Sequence, residues 1–562
     1  MANGILTPIT LWKDFDDTLP FEEETISERE VDGVLYREVY FLGRRTQFGR
    51  VKIYAKYATP LGVERFPAVL VMFEAGFPCD EQFVKMLVDG GYGVLSVDYC
   101  GNMGAGKHTV YPDDVEYANY LKVGRTMEYV DMTAKETSWY EWTAVARYAA
   151  RWLSEREEVT KTGAVGLRTG GEILWKIAPY APISCFVSVG AAGWLAYRDM
   201  EKFSSENNQV FSEERHRFIA GLDSQSYAPH VKCPVLLLCA INDKKCNYDR
   251  VYDTFQQINP DVEKAMLYSA HGNGLIGHRS TDNLYLFLDK YLKGHSVYLS
   301  KPITCNVFKD EDGRYRAQIK YDPMGDAMEC GVFFTENTST YKARDWTRVL
   351  EDSLTETEKA ASSVELPLDV YEGSQKALVY AFVHYSNGFS VTSKIQEVVL
   401  GDNHKGTKRS RILFTGERGT LGFAAFRRRA RSIADCFSSK ENVEVDLVPG
   451  YGGIMGISTR TGIITYRVSE PRFEPQEGAL FQFDAWCETD ATLKVIFFTD
   501  AEEQTGYEAE FAIEGGGKWK KICSESGDFK AAKGLPLDDF TKAVSVVFLG
   551  KDGVLINNLI WL

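Results

Sequence analysis

Five short apolar runs constrain the fold of this chain more than any other feature. They are "PAVLVMFEAG" (67–76), "GYGVLSVDYCG" (91–101), "TGAVGLRTG" (162–170), "ISCFVSVGAAG" (183–193) and "CPVLLLCAIND" (233–243). Each is apolar at consecutive positions, so neither face suits water. That pattern belongs to strands covered on both sides, as in a parallel sheet. The covering layers must come from the chain between them. "SWYEWTAVARYAARWLSEREE" (138–158) places Val145, Tyr148, Ala149 and Trp152 at helical spacing. Strands alternating with helices from 66 to 293 predict an α/β fold with a doubly wound, mostly parallel sheet. Two alternating strands, "GVLYREVYFLG" and "GRVKIYAKYATP", precede it.

After "LFLDKYLKGHSVY" (286–298) the texture changes. "FKDEDGRYRAQIKY" and "ALVYAFVHYSNGFSVTSKIQEVV" each bracket an Asp-Gly or Asn-Gly turn, the strongest local hairpin signal. Residues 299–400 therefore read as a small β-sandwich. Residues 401–562 are again β-rich, with strands at "GALFQFDAWCE", "ATLKVIFFTD", "YEAEFAIEG", "KAVSVVFLG" and "GVLINNLIWL", and read as a larger jelly-roll sandwich. A chain of 562 residues has room for this division into 1–298, 299–400 and 401–562.

The formal net charge of −15 leaves no basic excess to neutralise phosphates, which argues against nucleic-acid or anionic-membrane partners. The one basic cluster, "FRRRARS" (426–432), reads as a solvated face. Eleven cysteines without a C-x-x-C pair fit reduced thiols in a cytoplasmic protein, not a disulfide framework or zinc ribbon. No signal peptide and no membrane-length apolar run are expected.

The stretch "KTGAVGLRTGGEI" (161–173) carries the chemistry. A strand, a glycine-tight turn and a helix would place a nucleophilic serine in the pattern G-x-S-x-G. Here the frame is Gly166-Leu167-Arg168-Thr169-Gly170, so an arginine holds the nucleophile's seat. With the helix at 138–153 before it, this frame resembles the α/β-hydrolase superfamily, in particular its acetyl xylan esterase, cephalosporin deacetylase and dienelactone hydrolase branches. The resemblance implies an acid and a histidine after later strands. Asp243 follows the run at 233–240, and His271 follows "KAMLYSA", with His278 close enough to substitute. Asp243 also suits a turn or a helix N-cap, and His271 a surface loop. The strand that would supply the oxyanion hole reads Phe73-Glu74-Ala75-Gly76, where relatives often carry His-Gly. A carboxylate there repels a developing oxyanion but suits a contact with Arg168. The Thr169 backbone N–H remains a candidate oxyanion donor.

A guanidinium stays protonated and forms no acyl-enzyme. Cys79 and Cys100, near strand ends, are the alternative nucleophiles. "GNMGAGKHT" (101–109) nearly matches a phosphate loop, but His108 replaces the hydroxyl residue and Pro112 follows soon after, so no nucleotide cofactor is expected. No metal or other cofactor is expected either. Two readings follow. One is a hydrolase-type enzyme for an ester-like or carboxylated small molecule, with Asp243 and His271 as a general-base dyad and Arg168 binding an anion. The same dyad would also serve a lyase-like enzyme. The other is a catalytically silent pseudo-hydrolase that binds or scaffolds. The expected partner is a small molecule, anionic or carbohydrate-derived, and a homo-oligomer is compatible. The appended sandwiches resemble the fibronectin-like and carbohydrate-binding jelly-roll modules of some bacterial hydrolases, with Tyr451, Trp486, Tyr507 and Trp519 as candidate stacking residues. A purely structural role, including shielding of the hydrolase mouth, is the other reading of these units.

Overall fold

Nine strands form the sheet that organises the first half of the chain. They are β1 (Glu24–Val31), β2 (Val34–Arg45), β3 (Arg50–Pro60), β4 (Phe66–Met72), β5 (Gly93–Asp98), β6 (Val159–Leu167), β7 (Phe186–Val189), β8 (Val235–Ala240) and β9 (Lys264–Ser269). Their order is β1-β2-β3-β5-β4-β6-β7-β8-β9 in a computed structural model describing residues 4–77, 79–101, 106–122, 128–204, 210–269, 277–418, 422–426, 445–460, 462–550 and 553–562. β1, β2 and β3 pair antiparallel and lead antiparallel into β5, while every pairing from β5 through β9 is parallel. This is the doubly wound α/β sheet expected. All five apolar runs lie on it, and β6 and β8 are buried almost throughout.

The helices along this half are α1 (Pro8–Leu11), α2 (Glu81–Asp89), α3 (Ser138–Ser154), α4 (Thr169–Ile177), α5 (Glu213–Gly221), α6 (Val251–Phe255) and α7 (Gly277–Leu288). Local chemistry starts two of them. The Asp80 carboxylate accepts from the N–H groups of Gln82 and Phe83 to begin α2. The Thr137 hydroxyl accepts from Tyr140 N–H to begin α3. α3 is buried on nearly every side, with Trp142 and Trp152 in the core. Its Glu141 is fully buried and tied to Arg44 of β2.

The chain passes from β4 to β5 on one side, then crosses back beyond β4 to β6. The loops after β4 and β6 therefore part in opposite directions. In open α/β sheets such a switch point leaves a crevice at the carboxyl ends of the strands. That crevice holds Glu74, just after β4, and Arg168, just after β6.

Beyond the sheet, residues 304–399 form two antiparallel sheets and residues 412–561 two more. The hairpins at Asp312-Gly313 and Asn387-Gly388 form as expected. One apolar core runs without interruption from the large sheet into residues 315–400. The last segment has its own core around Phe481, Phe497 and Trp561. Buried ion pairs lock the units together. The Arg344 guanidinium donates to both carboxylate oxygens of Asp249, at 2.6 and 2.9 Å, and both side chains are fully buried. Arg467 donates to Asp345 at 2.9 Å.

Candidate functional site

The turn between β6 and α4 is sharp and strained. Arg168 adopts φ 48° and ψ −114°, a strained conformation for a residue with a side chain. The surroundings hold it there. Its N–H donates to Val189 carbonyl and its carbonyl accepts from Glu172 N–H, both at 2.8 Å. The flanking glycines are required by close approach. A Cβ at Gly170 would stand 2.1 Å from Met72 carbonyl oxygen, and one at Gly166 would stand 2.7 Å from the Gly170 backbone. β6 and α4 therefore meet at the sharp angle the sequence frame implied, with a guanidinium at its tip.

The guanidinium lies between two carboxylates. Nη1 donates to Asp243 Oδ1 at 2.9 Å, and Nε stands 3.8 Å from Glu74 Oε2. The expected Glu74–Arg168 contact thus forms as an ion pair longer than a hydrogen bond. Burial would pull the Arg168 pKa down, but Asp243 and then Glu74 push it up by more, so the group is a permanent cation. Lys245 completes the chain of charges, with Nζ 2.5 Å from Glu74 Oε1. Two cations and two carboxylates alternate across the crevice.

Asp243 is placed by its own turn. β8 ends at Ala240, and Asn242 then takes φ 54°. The Asn242 side chain accepts from Arg344 N–H at 3.1 Å and donates to Arg344 carbonyl at 2.8 Å, pinning the turn to the second unit. Asp243 Oδ1 then accepts from the N–H groups of Lys245, at 2.9 Å, and Cys246, at 3.2 Å, as well as from Arg168. The carboxylate is both turn cap and ion-pair partner, and one of its oxygens is committed to three donors.

His271 lies outside the described residues, as does the His278 side chain. Ala75 is buried, and Gly76 turns the chain at φ 90° with Tyr120 against it. Thr169 is the first residue of α4, so its N–H has no acceptor within the helix. The alternative nucleophiles are poorly suited. Burial pushes the Cys79 thiol up to about 11 and that of Cys100 higher still, so neither supplies thiolate near neutral pH. Lys107 of the near-phosphate loop is engaged with Glu38 at 2.6 Å. The basic run from 427 lies outside the described residues. Among the described residues no three His, Cys, Asp or Glu side chains are grouped to hold a metal ion, and no helix is long and apolar enough to cross a membrane.

Sequence reasoning missed two features. The first is a buried trio on and beside α4. Lys176 Nζ donates to Ser224 Oγ at 3.1 Å, Glu172 accepts from Gly193 N–H at 3.0 Å, and Asp223 accepts from Trp194 N–H at 2.7 Å. Burial lowers the Lys176 pKa, and burial with the Glu172 charge raises that of Asp223. Glu172 and Lys176 are spaced i,i+4, but nothing in that spacing marks them as buried. The second is the reach of the last unit. Glu503 takes φ 58°, accepts from Tyr466 hydroxyl at 3.0 Å, and pairs with Lys244 at 2.7 Å. Lys244 adjoins Asp243, so residues 500–505 lean on the acid turn.

Of the candidate stacking residues, Trp486 and Trp519 lie 6.3 Å apart with planes tilted by 38°. Their indole N–H groups donate to Gly517 and Tyr451 carbonyls. Tyr451 is exposed, and Tyr507 packs partly against the core.

No family model and no curated protein matches the chain. Solved structures are similar to part of the chain. The acetyl xylan esterase from Paenibacillus sp. R4 is 16% identical, with TM-score 0.39 over 51% of this chain and 92% of that one. Acetyl xylan esterase 1 from Thermoanaerobacterium sp. JW/SL YS485 is 17% identical, with TM-score 0.34 over 45% and 82%. The Pyrococcus horikoshii acylaminoacyl peptidase is 14% identical, with TM-score 0.34 over 49% and 51%.

Proposed function

We propose that this chain is a hydrolase-fold protein that binds an ester-like or carboxylated small molecule at an elbow closed to acyl-enzyme chemistry. One observation carries the reading: the residue in the strained seat is Arg168, engaged with Asp243 at 2.9 Å. A cation that stays protonated attacks no carbonyl. Its second role is recognition. Among the described residues the guanidinium makes one hydrogen bond, so further N–H donors of its five remain for a ligand carboxylate. The Glu74 carboxylate, where an oxyanion would develop, opposes the charge that ester hydrolysis builds. Residues 299–400 and 401–562 act in this reading as struts that hold the acid turn.

Turnover without a nucleophile on the elbow is the second reading, and the placement of Asp243 on the acid turn supports it. His271 and Asp243 would then act as a general base on water or on a substrate O–H or C–H, with Arg168 holding the anion. Calorimetric titration with acetate, which has no apolar body to bury, in the wild type and in Arg168→Gln, tests the binding claim. Loss of binding in the variant is expected, and equal binding in both overturns it. A substrate panel on the wild type and His271→Ala separates the two readings, because turnover abolished by that substitution selects the dyad.

A further inference from the structure

Beside the elbow, on the face of the sheet that carries α2, lies a chamber of about 590 Å³. That volume falls within the range of small-molecule sites. Its floor is the antiparallel extension of the sheet. Glu38, Lys56 and Ser96 stand in register across β2, β3 and β5, with Tyr54 and Asp98 in the next row of the same face. Phe73, Phe77, Val97 and Tyr99 give it apolar walls, and Phe77, 61% exposed, stands at the rim. It shares Glu74 with the elbow, and that carboxylate is already engaged by Lys245 and Arg168.

The polar groups of the chamber are unevenly satisfied. Glu38 accepts from Lys107 at 2.6 Å. Glu81 is shared by Lys56 at 2.9 Å and Arg29 at 3.0 Å. Asp80 and Asp98 are taken up by backbone N–H groups. The chamber is lined by two ammonium groups, Lys56 and Lys107, and by the carboxyl groups of Glu38, Glu74 and Asp98. Among the described residues the Lys56 ammonium makes one hydrogen bond, so two of its three donors remain. Burial pulls this amine down, but the Glu81 hydrogen bond and the surrounding charges more than offset it, so it stays cationic.

We propose that this chamber binds a small organic carboxylate with an aromatic or branched apolar body, the carboxylate on Lys56 and the body against Phe73 and Phe77. The pairing follows from the lining: the Lys56 ammonium with spare donors, set beside apolar walls and an exposed aromatic ring. It makes Lys56, not Arg168, the anion anchor in this chamber and does not depend on the elbow binding anything.

The test uses the full chain and 3-phenylpropionate as probe, read by calorimetry and by thermal shift. Wild type should bind, and the neutral alcohol 3-phenylpropanol should bind at least tenfold more weakly, a difference of about 1.4 kcal/mol. Lys56→Gln should lose tenfold or more, Lys56→Arg should retain binding, and Phe77→Ala should weaken it several-fold. The proposal is overturned by no binding up to about 10 mM, or by equal binding in wild type and Lys56→Gln. Loss of binding in Arg168→Gln with Lys56→Gln unaffected would place the carboxylate on the elbow instead. That result overturns this proposal and leaves the functional reading standing.

Discussion

Arg168 donates to Asp243 at 2.9 Å across 75 residues of chain, joining the turn after β6 to the turn after β8. The two side chains satisfy each other, and the backbone at Arg168 stays strained at φ 48°.

Removing the guanidinium leaves the Glu74 and Asp243 carboxylates, both mostly buried, without the cation between them. Breaking a buried pair costs about 3–5 kcal/mol. Arg168 is partly exposed, with 19% of its side chain accessible, so Arg168→Ala should cost about 2–3 kcal/mol. Arg168→Gly should cost about 1 kcal/mol less, because φ 48° no longer strains the backbone. Urea denaturation of the pair of variants measures the difference.

A serine at position 168 alone should not produce ester hydrolysis. In Arg168→Ser the hydroxyl would occupy the elbow, but Glu74 would keep its carboxylate in the oxyanion strand and Lys245 would hold it there. Turnover of p-nitrophenyl acetate by this variant should stay at the level of the wild type. A rise of a hundredfold would mean that Glu74 does not oppose the oxyanion.

Stability should fall as pH rises through the range of Asp98. Its oxygens accept from Cys100 and Thr109 N–H, at 3.0 and 2.7 Å, yet burial outweighs these bonds and pushes the carboxyl from 3.8 up to about 6. A carboxyl raised above its unfolded value contributes its full stabilisation below the unfolded pKa and loses it as pH passes the folded one. Two pK units at about 1.4 kcal/mol each set the size at roughly 3 kcal/mol. Asp98→Asn should flatten the urea midpoint between pH 4 and 6 relative to wild type, and an unchanged slope would exclude this group as the cause.

The last unit should restrain the acid turn. Glu503→Gln weakens the pair with Lys244, both ends of which are mostly buried, at a cost of about 1 kcal/mol. Hydrogen exchange at the Lys245 and Cys246 amides, which cap Asp243, should quicken by several-fold. Unchanged exchange would make the contact incidental.

The parallel strands were legible because burial on both faces leaves a run with no polar positions, as in 235–240 and 163–167. The elbow was legible because close approach demands glycine at 166 and 170 whatever residue stands between them. The Glu74–Arg168 contact followed from charge alone, since a cation and a carboxylate at adjoining strand ends attract. What the sequence did not reveal depends on contacts between distant segments. Nothing local indicates that Asp243 is spent on Arg168 and on its own turn, that Asn242 is pinned by Arg344, or that Glu503 reaches Lys244. The buried Lys176 and Glu172 sit at a spacing that on most helices marks an exposed ion pair.

The central claim is that no residue of this chain attacks a carbonyl from the elbow. Incubation of the wild-type protein with a fluorophosphonate, followed by intact-mass measurement and peptide mapping, tests it most directly. The account predicts an unmodified mass after prolonged exposure. A stoichiometric adduct on any side chain of the crevice would contradict it.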